Sequence, residues 1–268
     1  QKKYPMIQLE LVSIPEEVYS QRLLEAKIAG QMPDVFSTRD YQGDVKEDCA
    51  SLKPLIHSLD AQKCLFFEDY REYYPEMLQL PVGFQVGVLY ENSQRMQEGD
   101  TQAELSELRK EGGATLAWAD DRDMQGVYAE FAKAKTPLSG IAGDLSILKR
   151  VESQTSEKVP AREYNVLPIT QEGKLLGMFT DTWAVRKDCT KNQKNAGMLL
   201  LSYLTEEVLQ EEAYLASYDS IPVNKAAYET YKEYKMTEKL SFLEAYEDNM
   251  SISAQGDNLV EAYLEMEK

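Results

Sequence analysis

The stretch Tyr4-Pro5-Met6-Ile7-Gln8-Leu9-Glu10-Leu11-Val12, continuing through Ser13-Ile14-Pro15-Glu16 to Ala29-Gly30-Gln31-Met32-Pro33-Asp34-Val35-Phe36, decides the fold class. Ile7, Leu9 and Leu11 alternate with Gln8 and Glu10, which is the two-residue period of a strand. Ser13 and Glu16 make a capping-box pattern, with Pro15 in the first turn of the helix that follows. Gly30 stops that helix, and Pro33-Asp34-Val35-Phe36 opens a second strand. The chain therefore opens β-α-β, and Ser37-Thr38-Arg39-Asp40 forms a polar loop after the second strand. In open α/β sheets, ligands bind beyond the carboxyl ends of the strands.

Outward from this start, residues 52–80 read as helical, with Leu52, Leu55, Ile56 and Leu59 on one side and a second helix across Glu68–Leu80 disturbed by Pro75. Leu80-Pro81-Val82-Gly83-Phe84-Gln85-Val86-Gly87-Val88-Leu89-Tyr90-Glu91-Asn92 is an apolar strand. Its glycines mark a bulge or the close approach of another group. Residues 100–111 read as a helix, Ala114–Ala117 as a short buried strand, and Asp123–Ala134 as a helix. Gly140-Ile141-Ala142-Gly143-Asp144 reads as a flexible loop entering a helix at Asp144. Gln171-Glu172-Gly173-Lys174 is a turn between apolar strands. A helix follows with Ala196, Leu199, Leu200 and Tyr203, and residues 226–268 read as short amphipathic helices.

Composition excludes several functions. Acidic residues outnumber basic ones 46 to 29 over 268 residues, a formal charge of −17. That balance opposes binding to nucleic acid and to anionic lipid, both of which need Lys and Arg. No run of about 18 apolar residues is present to span a membrane. Cys49, Cys64 and Cys189 have no metal-type spacing, so no metal or cofactor is expected; Cys49–Cys64 closing a loop and free buried thiols are both open. His57, the one histidine, lies in the apolar patch Leu55-Ile56-His57-Ser58-Leu59 and reads as structural. There is no G-x-S-x-G, P-loop or G-x-G-x-x-G pattern, and paired acids such as Asp120-Asp121 arise by chance in so acidic a chain. An enzyme is not expected.

Three blocks resemble the family 1 extracellular solute-binding proteins of bacterial ABC importers, the sugar-binding class. The first is Tyr4-Pro5-Met6-Ile7 with Ala26-Lys27-Ile28-Ala29-Gly30 and Pro33-Asp34-Val35. The second is Leu80–Asn92, in which Glu91 stands where the family has a second tyrosine. The third joins Trp183-Ala184-Val185-Arg186-Lys187, Asn192, Ala196, Leu200, Tyr203-Leu204-Thr205, Glu207, Gln210 and Ile221-Pro222-Val223-Asn224-Lys225.

The resemblance implies an α/β, two-lobe periplasmic-binding-protein-like clamp of type II, lacking the usual first strand and helix. One lobe would hold 1–86 with 169–215 and the other 87–168 with 216–268, hinged near 81–92, 165–170 and 216–222. It implies an extracellular protein, anchored as a lipoprotein at full length and monomeric, that passes a carbohydrate or similar polar solute to ABC permease subunits. A sensor or adaptor with the same clamp is the alternative, and a carboxylate-based glycoside hydrolase the third.

A sugar pocket needs carboxylates, amides or Arg for hydroxyls and flat rings for C–H faces. The groups of this kind that the resemblance brings to the cleft are Arg39, Asp40, Phe84, Gln85, Asp144, Asp181, Trp183 and Tyr218. Each also has a plainer reading: Asp144 as a helix cap, Phe84 and Trp183 as core, and Arg39 as a surface partner of Asp34 or Asp40. Asp181, between apolar strand residues and beside Trp183, is the hardest to explain as plain surface.

Overall fold

The computed structural model describes residues 4–39, 41–59, 63–64, 76–92, 101–111, 116–118, 127, 131, 138–147, 164–216, 219–235 and 240–255. The expected helices at 68–80 and 123–134 fall largely outside this set. Helix α1 spans Glu16–Ile28, and strand β1 spans Val35–Ser37. Gly30 takes φ +67° after the helix, and the amide of Gln31 donates to the carbonyl of Ala26 at 2.8 Å. That is the left-handed C-terminal cap for which glycine is suited.

The opening of the chain departs from expectation in two ways. Residues 7–12 form no strand. Their alternating pattern lacks a partner ladder, and Met6, Leu11 and Val12 stay exposed. Second, Pro15 is the N-cap of α1 and no side chain caps the helix, so the Ser13–Glu16 box does not form. A helix begun at Ser13 would put Ile14 in helical geometry directly before Pro15, which the proline ring disfavours.

Two short helices follow, α2 at Val45–Asp48 and α3 at Lys53–Ser58. Asp44 caps α2 by accepting from the amides of Lys46 and Glu47, and Leu52, Leu55 and Ile56 are buried around α3 as expected, with His57 exposed. The remaining strands are β2 (Leu80–Asn92), β3 (Ala103–Glu104), β4 (Leu116–Trp118), β5 (Gly140–Asp144), β6 (Tyr164–Gln171), β7 (Lys174–Val185), β8 (Ile221–Pro222) and β9 (Met250–Gln255). The remaining helices are α4 (Leu105–Glu111), α5 (Lys191–Leu204), α6 (Glu207–Tyr214), α7 (Lys225–Lys235) and α8 (Phe242–Ala245).

Two strands belong to two groups. The first half of β2, Leu80–Val86, pairs antiparallel with β7, and Gly83 and Phe84 also pair with β8. Its second half, from Gly87 to Asn92, pairs with β5 and β6. In β6, Tyr164–Pro168 pair with β2, whereas Ile169 and Thr170 pair with β3 and Thr170–Gln171 with β7. β1 and β9 lie on β7, and β4 lies on β5. The strand β9 stands in the stretch expected to be helical, because Leu175–Phe179 offer it a parallel ladder. The hairpin β6–β7 turns on Glu172 and Gly173, both at positive φ (53° and 75°). Positive φ at both central residues is the turn that matches strand twist.

Gly140–Asp144 is a strand, not the flexible loop expected. Ile141 and Ala142 are fully buried, and β5 is paired on both edges. A Cβ on Gly140 would lie 2.9 Å from the carbonyl oxygen of Tyr90, so glycine serves close strand packing there. Helix α5 forms where a helix is expected, and it buries Gly197 and Leu201. A Cβ at Gly197 would stand 3.0 Å from methyls of Val185 and Val35, so the helix meets the sheet through its glycine. Cys49, Cys64 and Cys189 are all free and buried, which removes the Cys49–Cys64 loop.

Candidate functional site

The loop after β1 is tied down by polar contacts to β7. Ser37 pairs with Trp183. The amide of Thr38 donates to the carbonyl of Thr182 at 2.7 Å, and the Thr38 and Thr182 hydroxyls lie 2.7 Å apart. Gln79 Nε2 donates to Thr38 Oγ1 at 2.7 Å, which brings in the residue just before β2. This anchoring puts Arg39 at the carboxyl end of β1, with Nη1 3.9 Å from Asp181 Oδ1.

Asp181 has a second partner. Tyr214, at the end of α6, donates its hydroxyl to Oδ2 at 3.2 Å. Burial pushes the Tyr214 phenol well above its usual pKa, and the charge and hydrogen bond of Asp181 add to that. Tyr214 is therefore a hydroxyl donor at every physiological pH. Across the ladder, Gly83 pairs with Asp181, and the register slips on both sides of Gly83. A Cβ on Gly83 would stand 2.1 Å from Ser220 Oγ and 3.0 Å from Asp181 Oδ2. Ser220 is buried, and its hydroxyl is 3.0 Å from that of Thr180.

The cluster thus gathers one guanidinium, one carboxylate and three hydroxyls around a bulge of β2. Arg39 and Asp181 side chains are 41% and 24% exposed. At that exposure, a separation of 3.9 Å gives a solvent-screened pair contributing about 0–1 kcal/mol to stability. Trp183, two residues along β7, is half-buried against the main core. These groups can donate to and accept from hydroxyls beside one aromatic side chain; the described residues contain no cluster of His, Cys, Asp and Glu able to hold a metal ion.

Of the residues singled out from the sequence, the structure brings together Arg39, Asp181 and Trp183. Phe84 is a core residue, 0% exposed, with its ring 6.1 Å from that of Tyr228. Its apolar ring lies in the middle of a strand paired on both edges, so packing takes it. Gln85 is 1% exposed and pairs with Met178. Asp144 pairs with Gly87, four residues from Gly83 and so about 13 Å along β2. Its Oδ1 accepts from the amide and hydroxyl of Ser146. That is a capping role. Asp40 and Tyr218 lie outside the described residues. Arg39 pairs with Asp181, and Asp34 is taken by Arg186 at 2.7 Å.

Sequence reasoning missed Tyr214, Ser220, Thr180 and Thr38. Gly83 carried a signal, as a glycine inside a strand; the others are ordinary polar residues whose convergence depends on pairing between distant segments.

A second polar cluster touches the neighbouring residue of β2. Gln210 Nε2 donates to the carbonyls of Val82 (2.7 Å) and Leu204 (3.0 Å). Its Oε1 accepts from the amide of Asn224 at 2.8 Å. Asn224 Nδ2 donates to Thr205 O, and its Oδ1 accepts from the amides of Ala226 and Ala227, capping α7. Thr205, Gln210 and Asn224 are all buried. Thr205, Gln210 and Asn224 of the third block therefore form a structural knot.

No protein-family model matches this sequence, and no curated protein matches it in sequence. Solved structures do match. The sugar-binding protein MalE from Xanthomonas citri superposes with a TM-score of 0.63 at 13% identity, over 95% of this chain and 81% of that one. UgpB from Mycobacterium tuberculosis, in complex with glycerophosphocholine, gives 0.61 at 12% identity, over 95% and 82%. A family 1 extracellular solute-binding protein from Bifidobacterium longum subsp. infantis gives 0.61 at 12% identity, over 94% and 83%. The fold is that of the solute-binding proteins. Strands β2 and β6 are each shared by two groups of strands in this fold. None of the described helices is long and apolar enough to cross a membrane.

Proposed function

We propose that this chain is the extracellular solute-binding component of an ABC importer, and that it holds a carbohydrate or similar hydroxyl-rich solute without chemical reaction. The observation that carries the reading is the Arg39–Asp181–Tyr214 cluster at the bulge of β2, a strand whose pairing partners change a few residues later. A carboxylate, a guanidinium and hydroxyls with Trp183 nearby match the donors, acceptors and flat faces of a sugar. The lobes in this reading are 1–86 with 169–215 and 87–168 with 216–268, with β8 and β9 returning to the first strand group. Solute closes the lobes by shifting the open–closed population, and permease subunits receive the closed monomer. In this reading a lipid anchor would hold the protein at the outer face of the membrane.

Calorimetry and thermal-shift measurements with a panel of mono- and oligosaccharides test this. At least one saccharide is expected to bind and raise the melting temperature, with the gain lost in Asp181→Asn. If no saccharide stabilises the protein, the carbohydrate assignment fails. Stabilisation by glycerophosphodiesters alone would replace it with a phosphodiester solute in the same clamp.

A further inference from the structure

The two oxygens of Asp181 have different surroundings. Tyr214, the last residue of α6, donates its hydroxyl to Oδ2 at 3.2 Å. A Cβ on Gly83 would stand 3.0 Å from that same oxygen, so the backbone of β2 closes over it. Tyr214 is half-buried, and burial, with the charge and hydrogen bond of Asp181, keeps its phenol protonated and a donor. The charge of Arg39 acts on the same phenol, so the three groups form one unit. With Oδ2 committed inward, Oδ1 is the oxygen that faces Arg39.

The spacing between Oδ1 and Arg39 Nη1 carries chemical information. At 3.9 Å the two atoms are too far apart for a direct hydrogen bond. One oxygen fits between them at about 2.8 Å from each, with the two partners about 90° apart around it. That oxygen must donate to the carboxylate and accept from the guanidinium. A hydroxyl does both. An ether or carbonyl only accepts, and would set its lone pairs against those of Oδ1. An ammonium only donates, and would set its charge against that of Arg39. Both side chains are partly exposed, so a solute can reach the space between them.

We propose that Tyr214 is a positioning residue of the solute site. By holding Asp181 through Oδ2 it leaves Oδ1 one hydroxyl away from Arg39, and the site selects solutes that place a single hydroxyl there, donating to Asp181 and accepting from Arg39. The inference rests on the solute-binding role given to this cluster, and adds which group of the solute is read and what keeps the reader in place.

Calorimetry of the full chain tests it with the tightest-binding saccharide of the panel, glucose and maltose first, and with its monodeoxy and mono-O-methyl analogues. At one position of the sugar, both analogues should bind about tenfold more weakly than the parent. Tyr214→Phe keeps the ring and removes the hydroxyl. It should weaken the parent about three- to tenfold and narrow the gap between parent and analogues to about threefold or less. A merely structural role would weaken parent and analogues alike. In an Asp181→Ala background, where the phenol has no carboxylate to hold, Tyr214→Phe should change affinity by less than about twofold. Arg39→Leu, which leaves α6 untouched, should narrow the same gap and keeps the test open if Tyr214→Phe impairs folding. If saccharides bind but the Tyr214→Phe effect is equal with and without Asp181, or the gap survives in both variants, this inference alone is overturned. If no saccharide binds the unaltered chain, the carbohydrate reading fails and takes this inference with it.

Discussion

Val82 and Gly83 are neighbours on one strand, yet the polar clusters they touch behave differently. Val82 offers its carbonyl to the Gln210–Asn224–Thr205 knot, in which the side-chain amides are enclosed and matched to backbone groups. Gly83 faces Asp181, whose partners Arg39 and Tyr214 sit at 3.9 and 3.2 Å and whose carboxylate keeps part of its exposure. Buried polar groups with complete partners hold segments in place, and their loss leaves expensive orphans. Partly exposed groups at loose distances contribute little to the fold and can exchange partners with a guest. The knot is thus structure, and the loose cluster is the candidate for recognition.

The largest effect that sharpens this contrast is Gln210→Leu. It orphans the buried Val82 carbonyl and the Asn224 amide, at about 1–3 kcal/mol each, so chemical denaturation should show a loss of about 3 kcal/mol. Solute affinity of the folded fraction should stay within about twofold. A loss below about 1 kcal/mol would erase the distinction between the clusters.

Gly83→Ala comes next, because its new methyl would meet Ser220 Oγ and Asp181 together. Overpacking of this kind costs about 1–3 kcal/mol. This is the position where stability and solute affinity should fall together, and a variant that kept full affinity would separate Gly83 from the site.

Asp181→Asn is the converse case. Removing the charge should change stability by less than about 1 kcal/mol, while calorimetry should show solute binding weakened about tenfold, or about 1.4 kcal/mol. Equal affinity would show that the loose cluster is only surface.

The smallest effect concerns acid. Burial acts to raise the Asp34 pKa, but hydrogen bonds from Arg186 and Cys189, together with the guanidinium charge, more than offset it and hold the folded value below the ordinary one. The unfolded chain therefore binds this proton more readily, and stability rises with pH between the folded value and about 3.9. The contribution is complete above the unfolded value and is lost as pH falls through the folded one. Asp34→Asn should flatten the stability profile in that acidic window, and an unchanged acid limb would remove Asp34 from the account.

Local pattern carries much of the fold. The strand at Leu80–Asn92, the Gln171–Lys174 turn and the Gly30 helix stop depend on periodicity and on glycine geometry, both visible in the chain. The alternation of Ile7, Leu9 and Leu11 yields no strand, because a strand needs a partner as well as a pattern. Gly140–Asp144 reads as a loop, yet its first glycine packs backbones closely rather than loosening them. For the site, Arg39 is legible as a polar residue just after an apolar strand and Asp181 as a carboxylate set among apolar strand residues. Phe84 is not separable from a stacking ring by sequence, since its burial is decided by β7, β8 and α7. Tyr214 reaches Asp181, and Ser220 reaches Thr180, only through pairings between segments far apart in the chain, which no local pattern encodes.

The two indoles of this chain are divided between the strand groups. Trp183 lies on β7 beside the ion pair, and Trp118 lies on β4, which reaches β2 only through β5. Both are half-buried, where emission colour responds to small changes in local polarity. Each strand group that shares β2 therefore carries its own optical gauge, and Trp118→Phe would leave a single indole two residues from Asp181.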